Sequence, residues 1–393
     1  MLIYLVSIFS LSFILLSYLY KLKESPTSKV KNLLIVHSGK SSSGALLLGG
    51  LPVGLSVTLG IAGVSFVYPD LALPWQVIST FFFCGSLLIF YGMMDDKYEL
   101  RPIVKLFCQF LSVFAFSIIS AVTVGGNFST IVFMALCFYG MGTLNGTNLL
   151  DGLDLMTVKL SSIAYLSYFL MAYLLGNNST MLYSAISFSG LIAFTVYNKF
   201  PSKIHLGEIG GAFIGFSYLF LSVSNFNFLQ NRMSFVDALS LSLLPVSISM
   251  VEVGVSFCRR IFNSKSPFKG DRFHVHHILR NYYGYSVTKT TNILSFFYGS
   301  ALGIAILSNH YLSLKPMLAY LLTLICMCVF QFSVGKKFWI KKSFDFSLKN
   351  FLTSLRKEHL VMIDSSKVDK FEFKIIQGGK SVSTEETDEK KAA

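Results

Sequence analysis

Eleven stretches of apolar residues, most of them close to the length of a membrane span, recur along this chain of 393 residues and decide what it can fold into. A helix of about 20 apolar residues crosses the roughly 30 Å hydrocarbon core of a bilayer. No water reaches that core, so every backbone N–H and C=O there needs an internal partner, which a helix supplies. The stretches fall at about 1–20, 48–68, 75–94, 103–124, 129–149, 155–175, 180–198, 209–224, 235–258, 287–308 and 316–335. Only 13% of residues are charged, about half the share of a soluble domain. The expected fold class is therefore all-α, a polytopic integral membrane bundle of about 11 transmembrane helices. Residues 1–335 form the membrane domain, and 336–393 a cytosolic tail that is expected to be disordered from about 378, where it turns wholly polar.

Charge sets the orientation. With the N-terminus outside, the five inner loops and adjoining span ends carry eighteen Lys and Arg, whereas the outer loops carry only Arg232 and Lys315. Cytosolic loops are enriched in Lys and Arg, so the net charge of +13 reads as this bias and calls for no nucleic-acid partner. The first stretch has its lysines, Lys21 and Lys23, after it and not before. It is read as a span and not as a removed signal peptide. The six cysteines lie in or beside apolar stretches and read as packing residues, not as a disulfide framework.

Acids are rare in such a chain and expensive within a membrane, which makes them functional candidates by default. Eleven precede the tail, and nine of them (Glu24, Asp95, Asp96, Glu99, Asp151, Asp154, Glu208, Glu252 and Asp271) fall at inner span ends or in inner loops. Asn145, Asn148, Asp151 and Asp154 recur every three residues in NGTNLLDGLD, a spacing that shares one face if the helix continues. Acids within a basic frame suit a divalent cation and a polyanionic substrate, since carboxylate and amide oxygens hold Mg²⁺ while Lys, Arg and His hold phosphates.

Four motifs then stand in order: MMDDKYELRPIVK at 93–105, NGTNLLDGLD at 145–154, NKFPSKIHLGEIGGAFIGF at 198–216 and SPFKGDRFHVHHILR at 266–280. Together they resemble the polyprenyl-phosphate N-acetylhexosamine-1-phosphate transferases, a glycosyltransferase family 4 type that includes phospho-MurNAc-pentapeptide translocase. The fourth motif is closer to the GlcNAc-1-phosphate transferase branch. The second is near the family pattern N-x-x-N-x-x-D-G-(I/L)-(D/N). The resemblance implies ten or eleven spans with a cytosolic site. It makes Asp95, Asp96, Asp151 and Asp154 the catalytic set, the first pair serving lipid-phosphate deprotonation or metal geometry. It makes Asn148 and Glu208 the metal ligands. Lys105, Asn145, Arg272, His274, His276 and His277 become substrate contacts.

The chain departs from the family at several positions. Glu208 and Glu252 stand where Asp is usual, and Gly211 where Ser is usual. The loop after His37 is longer than usual, so His37 is assigned no role. Clustered histidines also suit a transition metal. A longer Glu208 moves its carboxylate by roughly a bond length, 1.5 Å, which Mg²⁺ tolerates poorly.

The activity implied is transfer of a HexNAc-1-phosphate, of the GlcNAc type, from a UDP-sugar to undecaprenyl phosphate with release of UMP. That step would start a lipid-linked surface glycan such as O-antigen, capsule or exopolysaccharide. The expected cofactor is Mg²⁺, with Mn²⁺ as a substitute. The expected partners are a UDP-sugar, undecaprenyl phosphate and the lipid bilayer, with a homodimer left open. The expected location is the bacterial cytoplasmic membrane. Two rival readings are a non-catalytic family member and a membrane transporter of a phosphorylated solute.

Overall fold

The computed structural model describes residues 1–24, 46–266, 271 and 273–339. The chain runs through α1 (Leu2–Glu24), α2 (Gly50–Val67), α3 (Trp75–Tyr98), α4 (Pro102–Val124), α5 (Ser129–Leu150) and α6 (Met156–Leu175). It continues through α7 (Asn178–Ile192), α8 (Gly207–Leu229), α9 (Phe235–Leu243), α10 (Ser247–Phe262), α11 (Val287–Tyr311) and α12 (Pro316–Trp339). Ten helical segments of the described residues are long and apolar enough to cross a membrane, so the all-α polytopic fold is the observed one. The other expected span is α7, 15 residues long, continued after a turn by the single-turn helix Thr195–Asn198. His37, Arg272 and residues 340–393 of the tail lie outside the described residues.

Local chemistry places the helix ends. Asn177, Ser234 and Ser286 each accept a hydrogen bond from a backbone N–H in the first turn of the helix they precede, meeting donors that lack an intrahelical partner. Pro102 starts α4, where its missing N–H costs nothing. The stretch 235–258 was expected as one span. It is one membrane-spanning segment, Phe235–Phe262, in which a 3-10 turn at Leu244–Val246 separates α9 from α10, because Pro245 can neither donate to the ladder nor fit beneath the preceding turn.

The bundle is built around α8, which is buried along its length and packs against α2, α3, α5, α6 and α7. Lipid tails are as apolar as leucine, so apolar transfer alone does not hold helices together in a membrane. Close packing and interhelical hydrogen bonds do. Ser217, Ser222, Ser224 and Asn225 of α8 meet Tyr165, Tyr168, Thr180 and Asn177 at 2.7 to 3.1 Å. On another side Phe81 stacks on Phe216 at 5.2 Å, and Phe116 meets the same ring edge-on at 5.1 Å.

At one end of α8 the chain is zipped without a sheet. Leu46 and Ile204 form an isolated parallel bridge. Gly49 N–H donates to His205 O at 2.9 Å, and Gly50 N–H donates to Leu206 O at 2.8 Å. The starts of α2 and α8 are thereby fixed beside the ends of α3 and α5.

Candidate active site

That end holds a cavity of about 300 Å³, lined by six carboxylates: Asp95, Asp96, Glu99, Asp151, Asp154 and Glu208. Asn148, Asn198 and His205 complete its polar wall. The acids come from three motifs spread over more than a hundred residues of sequence. A chance scatter of helix-end charges would not collect them in one place.

The first motif is a tight helix-to-helix turn. Glu99 adopts a left-handed conformation, φ 48°, and ends α3. Asp95 and Asp96 therefore sit on its last turn, and Pro102 restarts the chain as α4 with Lys105 one turn in. Asp95 uses both oxygens locally: Oδ1 accepts from Leu100 N–H at 2.8 Å, and Oδ2 pairs with Lys105 Nζ. Lys105 also reaches Glu208 Oε1 at 3.3 Å. Asp96 differs. Its Oδ1 accepts from Glu208 N–H at 3.1 Å, at the N-terminus of α8, where unsatisfied N–H groups favour an anion. Its Oδ2 is buried without a partner. Gly207, at φ +75°, lies beneath that oxygen, and a Cβ there would stand 2.5 Å from it.

The second motif ends α5 and turns sharply. Asn148 Nδ2 donates to Glu208 Oε2 at 3.1 Å, so the two expected metal ligands lie side by side. The place where a Cβ of residue 211 would sit is 1.6 Å from Asn148 Oδ1. Gly211 is thus the seat of the Asn148 amide. Asp151 opens onto the cavity but has protein on its other sides. Asp151 is exposed to the cavity, and the protein around it raises its carboxyl, against a 2.8 Å hydrogen bond from the Thr157 hydroxyl, while the charges of Glu208 and Asp154 add to the rise. Asp154 accepts from the backbone N–H and hydroxyl of Ser202 at 3.1 and 2.9 Å. Leu155 N–H donates to Asn198 Oδ1 at 2.8 Å. These bonds fasten the acidic turn to the loop before α8.

The fourth motif packs behind that turn. His276 is fully buried, with neither ring nitrogen hydrogen-bonded. A Cβ on Gly152 would stand 2.2 Å from its Nε2. Burial, and then the neighbouring His277 and His274, hold this imidazole well below its usual pKa, so it is neutral. Burial alone would raise the Asp271 carboxyl, yet Arg259, the Phe273 N–H and Arg260 hold it below the usual carboxylate range.

Of the residues expected from sequence, Asp95, Asp96, Asn148, Asp151, Asp154 and Glu208 line the cavity. Lys105 bridges two of them from the side. His274 and His276 are buried beneath the second motif and do not line it. Asn145 turns its amide to Met141 O at 2.8 Å within its own helix. His205, Ser202 and Asn198 had no expected role. The sequence signal for them was the polar run between two spans.

The donor chemistry suits a hard divalent cation: carboxylate and amide oxygens gather in one cavity, and buried Asp96 Oδ2 lacks a partner. Among the described residues no three acidic, histidine or cysteine side chains converge at metal distance. Lys105 supplies positive charge between Asp95 and Glu208 in this arrangement.

Residues 78–225 match the family model described as Glycosyl transferase family 4. Three motifs fall within that match, and the fourth follows it. The chain is 27% identical over 244 residues to a Bacillus subtilis protein named probable undecaprenyl-phosphate N-acetylglucosaminyl 1-phosphate transferase. It is 23% identical over 249 residues to the Salmonella typhi undecaprenyl-phosphate alpha-N-acetylglucosaminyl 1-phosphate transferase. Each alignment covers 59% of this chain, and the chain spans 64% of the length of each relative. A shorter stretch of 87 residues is 34% identical to the phospho-N-acetylmuramoyl-pentapeptide-transferase of Staphylococcus carnosus, covering 22% of this chain and 27% of that protein.

Proposed function

Because residues 78–225 match the glycosyl transferase family 4 model, we propose that the chain is a member of that family and transfers a HexNAc-1-phosphate, of the GlcNAc type, from a UDP-sugar to undecaprenyl phosphate. The observation that carries this reading is the six-carboxylate cavity, one of whose lining acids, Asp96, has a buried Oδ2 without a partner. An oxygen of the lipid phosphate attacks the β-phosphorus of the donor. The new P–O bond forms as the pyrophosphate bond to UMP breaks, and UMP leaves with the electron pair.

Asp96 is the better placed of the acid pair to take a proton from the lipid phosphate, since Asp95 has spent both oxygens on Leu100 N–H and Lys105. Lys105 holds Asp95 and Glu208 in register and lies within reach of a phosphate. Asn148 and Glu208 would hold Mg²⁺ or Mn²⁺. Such a cation supplies charge neutralisation of the pyrophosphate when bound. Asp151 and Asp154 line the wall fastened to Ser202 and serve the donor. The fourth motif sets the back of that wall.

The deciding experiment incubates the purified chain with a panel of UDP-sugars, undecaprenyl phosphate and Mg²⁺, and measures UMP release and lipid-linked product. UMP release with UDP-GlcNAc is expected. Uptake of a solute into vesicles without UMP release would favour a transporter, and neither activity would favour a non-catalytic member.

The site is proposed to face the cytosol, and the location to be the bacterial cytoplasmic membrane. A reporter fused after Lys336 should be active only in a form that works in the cytoplasm. An exported, active reporter there would reverse the orientation drawn from the Lys and Arg bias.

A further inference from the structure

A second carboxylate is buried away from the cavity, where the proposed transfer makes no use of it. Glu252 is 1% exposed on α10, within the membrane-spanning segment Phe235–Phe262. A carboxylate at that depth is expensive unless both oxygens are answered. They are. Oε1 is hydrogen-bonded to His274 Nδ1 at 2.7 Å, and Oε2 accepts from Gln331 Nε2 at 2.8 Å. The Gln331 amide also reaches the Tyr298 hydroxyl at 2.9 Å. One buried carboxylate thus ties α10, α11 and α12 to the fourth motif.

The consequence falls on His274. The 2.7 Å hydrogen bond between Oε1 and Nδ1 fixes one edge of the imidazole. The ring plane is then set from beneath. It lies parallel to His276, with centroids 5.7 Å apart and planes 9° apart. His276 in turn presses on Gly152, in the turn between Asp151 and Asp154. Its ring has no hydrogen bond of its own to hold it, so packing against its neighbours fixes it. An orientation set at Glu252 therefore passes through two imidazoles to the acidic turn.

We propose that Glu252 and Gln331 are positioning residues that fix the His274–His276 stack against the Asp151–Asp154 turn, which makes α12 a working part of the transfer site. This rests on the reading of the cavity as the phosphotransfer site. The extra methylene of glutamate has a use here, since one side chain spans from the loop histidine to α12.

The test uses the full chain with Glu252→Leu, Glu252→Gln, Gln331→Leu, His274→Gln and the double variant Glu252→Leu/His274→Gln. Turnover, donor KM and thermal melting are measured for each. Misplacing a supporting group by about 1 Å can cost on the order of 10²-fold. Glu252→Leu should lose turnover on that order and raise donor KM, because the Asp151–Asp154 turn serves the donor. Gln331→Leu should lose less. Glu252→Gln keeps an acceptor for His274, with the Gln331 amide turned to match, and should restore most of the turnover. The double variant should be no worse than the poorer single, because both changes act through one ring.

Multiplying losses in the double variant would overturn the proposal. So would full turnover in a folded Glu252→Leu protein. If Glu252→Leu fails to fold, Gln331→Leu with Glu252→Gln decides: normal turnover in the first, or a loss in the second as deep as in Gln331→Leu, sinks the proposal. If wild-type chain releases UMP but His274→Gln is indifferent, the stack has no role and the proposal falls while the transferase reading stands. If wild-type chain releases no UMP, the transferase reading falls first.

Discussion

Asp96→Asn should lower turnover by about 10²- to 10⁴-fold, the range ascribed to a positioned general base, while donor KM shifts only a few-fold. The substitution is a clean probe for a structural reason. Asparagine keeps an oxygen to accept the 3.1 Å bond from Glu208 N–H, so the start of α8 stays in place. What changes is the second atom. The partnerless, buried Oδ2 becomes an amide that donates where the carboxylate would accept. Losing turnover without losing affinity marks an interaction made in the transition state.

Asp95→Asn should behave differently. Asp95 pairs with Lys105 and caps the turn through Leu100 N–H, so its loss frees Lys105 to lean on Glu208. Both KM and turnover should suffer. UMP release at saturating donor and lipid, with a melting curve for each variant, separates the two. Near-normal turnover in Asp96→Asn with collapse in Asp95→Asn would exchange the roles of the pair. Near-normal turnover in both would remove the first motif from the chemistry.

How far the sequence could be read follows from the range of each interaction. Span positions were legible because each rests on about twenty consecutive residues, and five of the six cavity acids because charge is rare in such a chain; Glu99, the sixth, was expected only at an inner span end. The span at 235–258 was legible too, but the 3-10 turn at Leu244–Val246 inside it was not, because a proline within an apolar run can leave a span continuous. Pairings between distant helices leave no local trace. Gln331 reads as a lone polar residue in an apolar stretch, yet it completes the burial of Glu252. Lys105 was expected on a substrate phosphate and lies between two acids. Those positions agree only if a bound phosphate draws it from them. The histidines of the fourth motif read as cavity-facing, whereas His274 and His276 are buried, because hydrophilic residues in a loop give no sign of which of them turn inward.

Glu208 and Gly211 should behave as a matched pair, and the expected loss on breaking the match is again about 10²-fold. Glu208 reaches across the cavity to Asn148 with Oε2 at 3.1 Å and to Lys105 with Oε1 at 3.3 Å. Shortening it to aspartate withdraws the carboxylate by roughly 1.5 Å and strands both partners, so Glu208→Asp should lose activity although aspartate is usual in the resembling family. Glu208→Gln keeps the length and removes the charge. Lys105 then loses half its counter-charge, and both Mg²⁺ dependence and turnover should collapse.

Gly211 acts on the same pair from the other side. A Cβ at that position would fall 1.6 Å from Asn148 Oδ1, so Gly211→Ser must expel the amide and break its bond to Glu208. Residues that share one contact do not add. In the double variant Glu208→Asp/Gly211→Ser the displaced Asn148 can follow the withdrawn carboxylate, and the combined loss should be smaller than the product of the single losses. UMP release against Mg²⁺ and Mn²⁺ for all four proteins, with Mn²⁺ binding followed by electron paramagnetic resonance, reads this directly. Losses that multiply would show that Glu208 and Gly211 act independently, and equal rates and metal dependence in all four would take Glu208 out of the site.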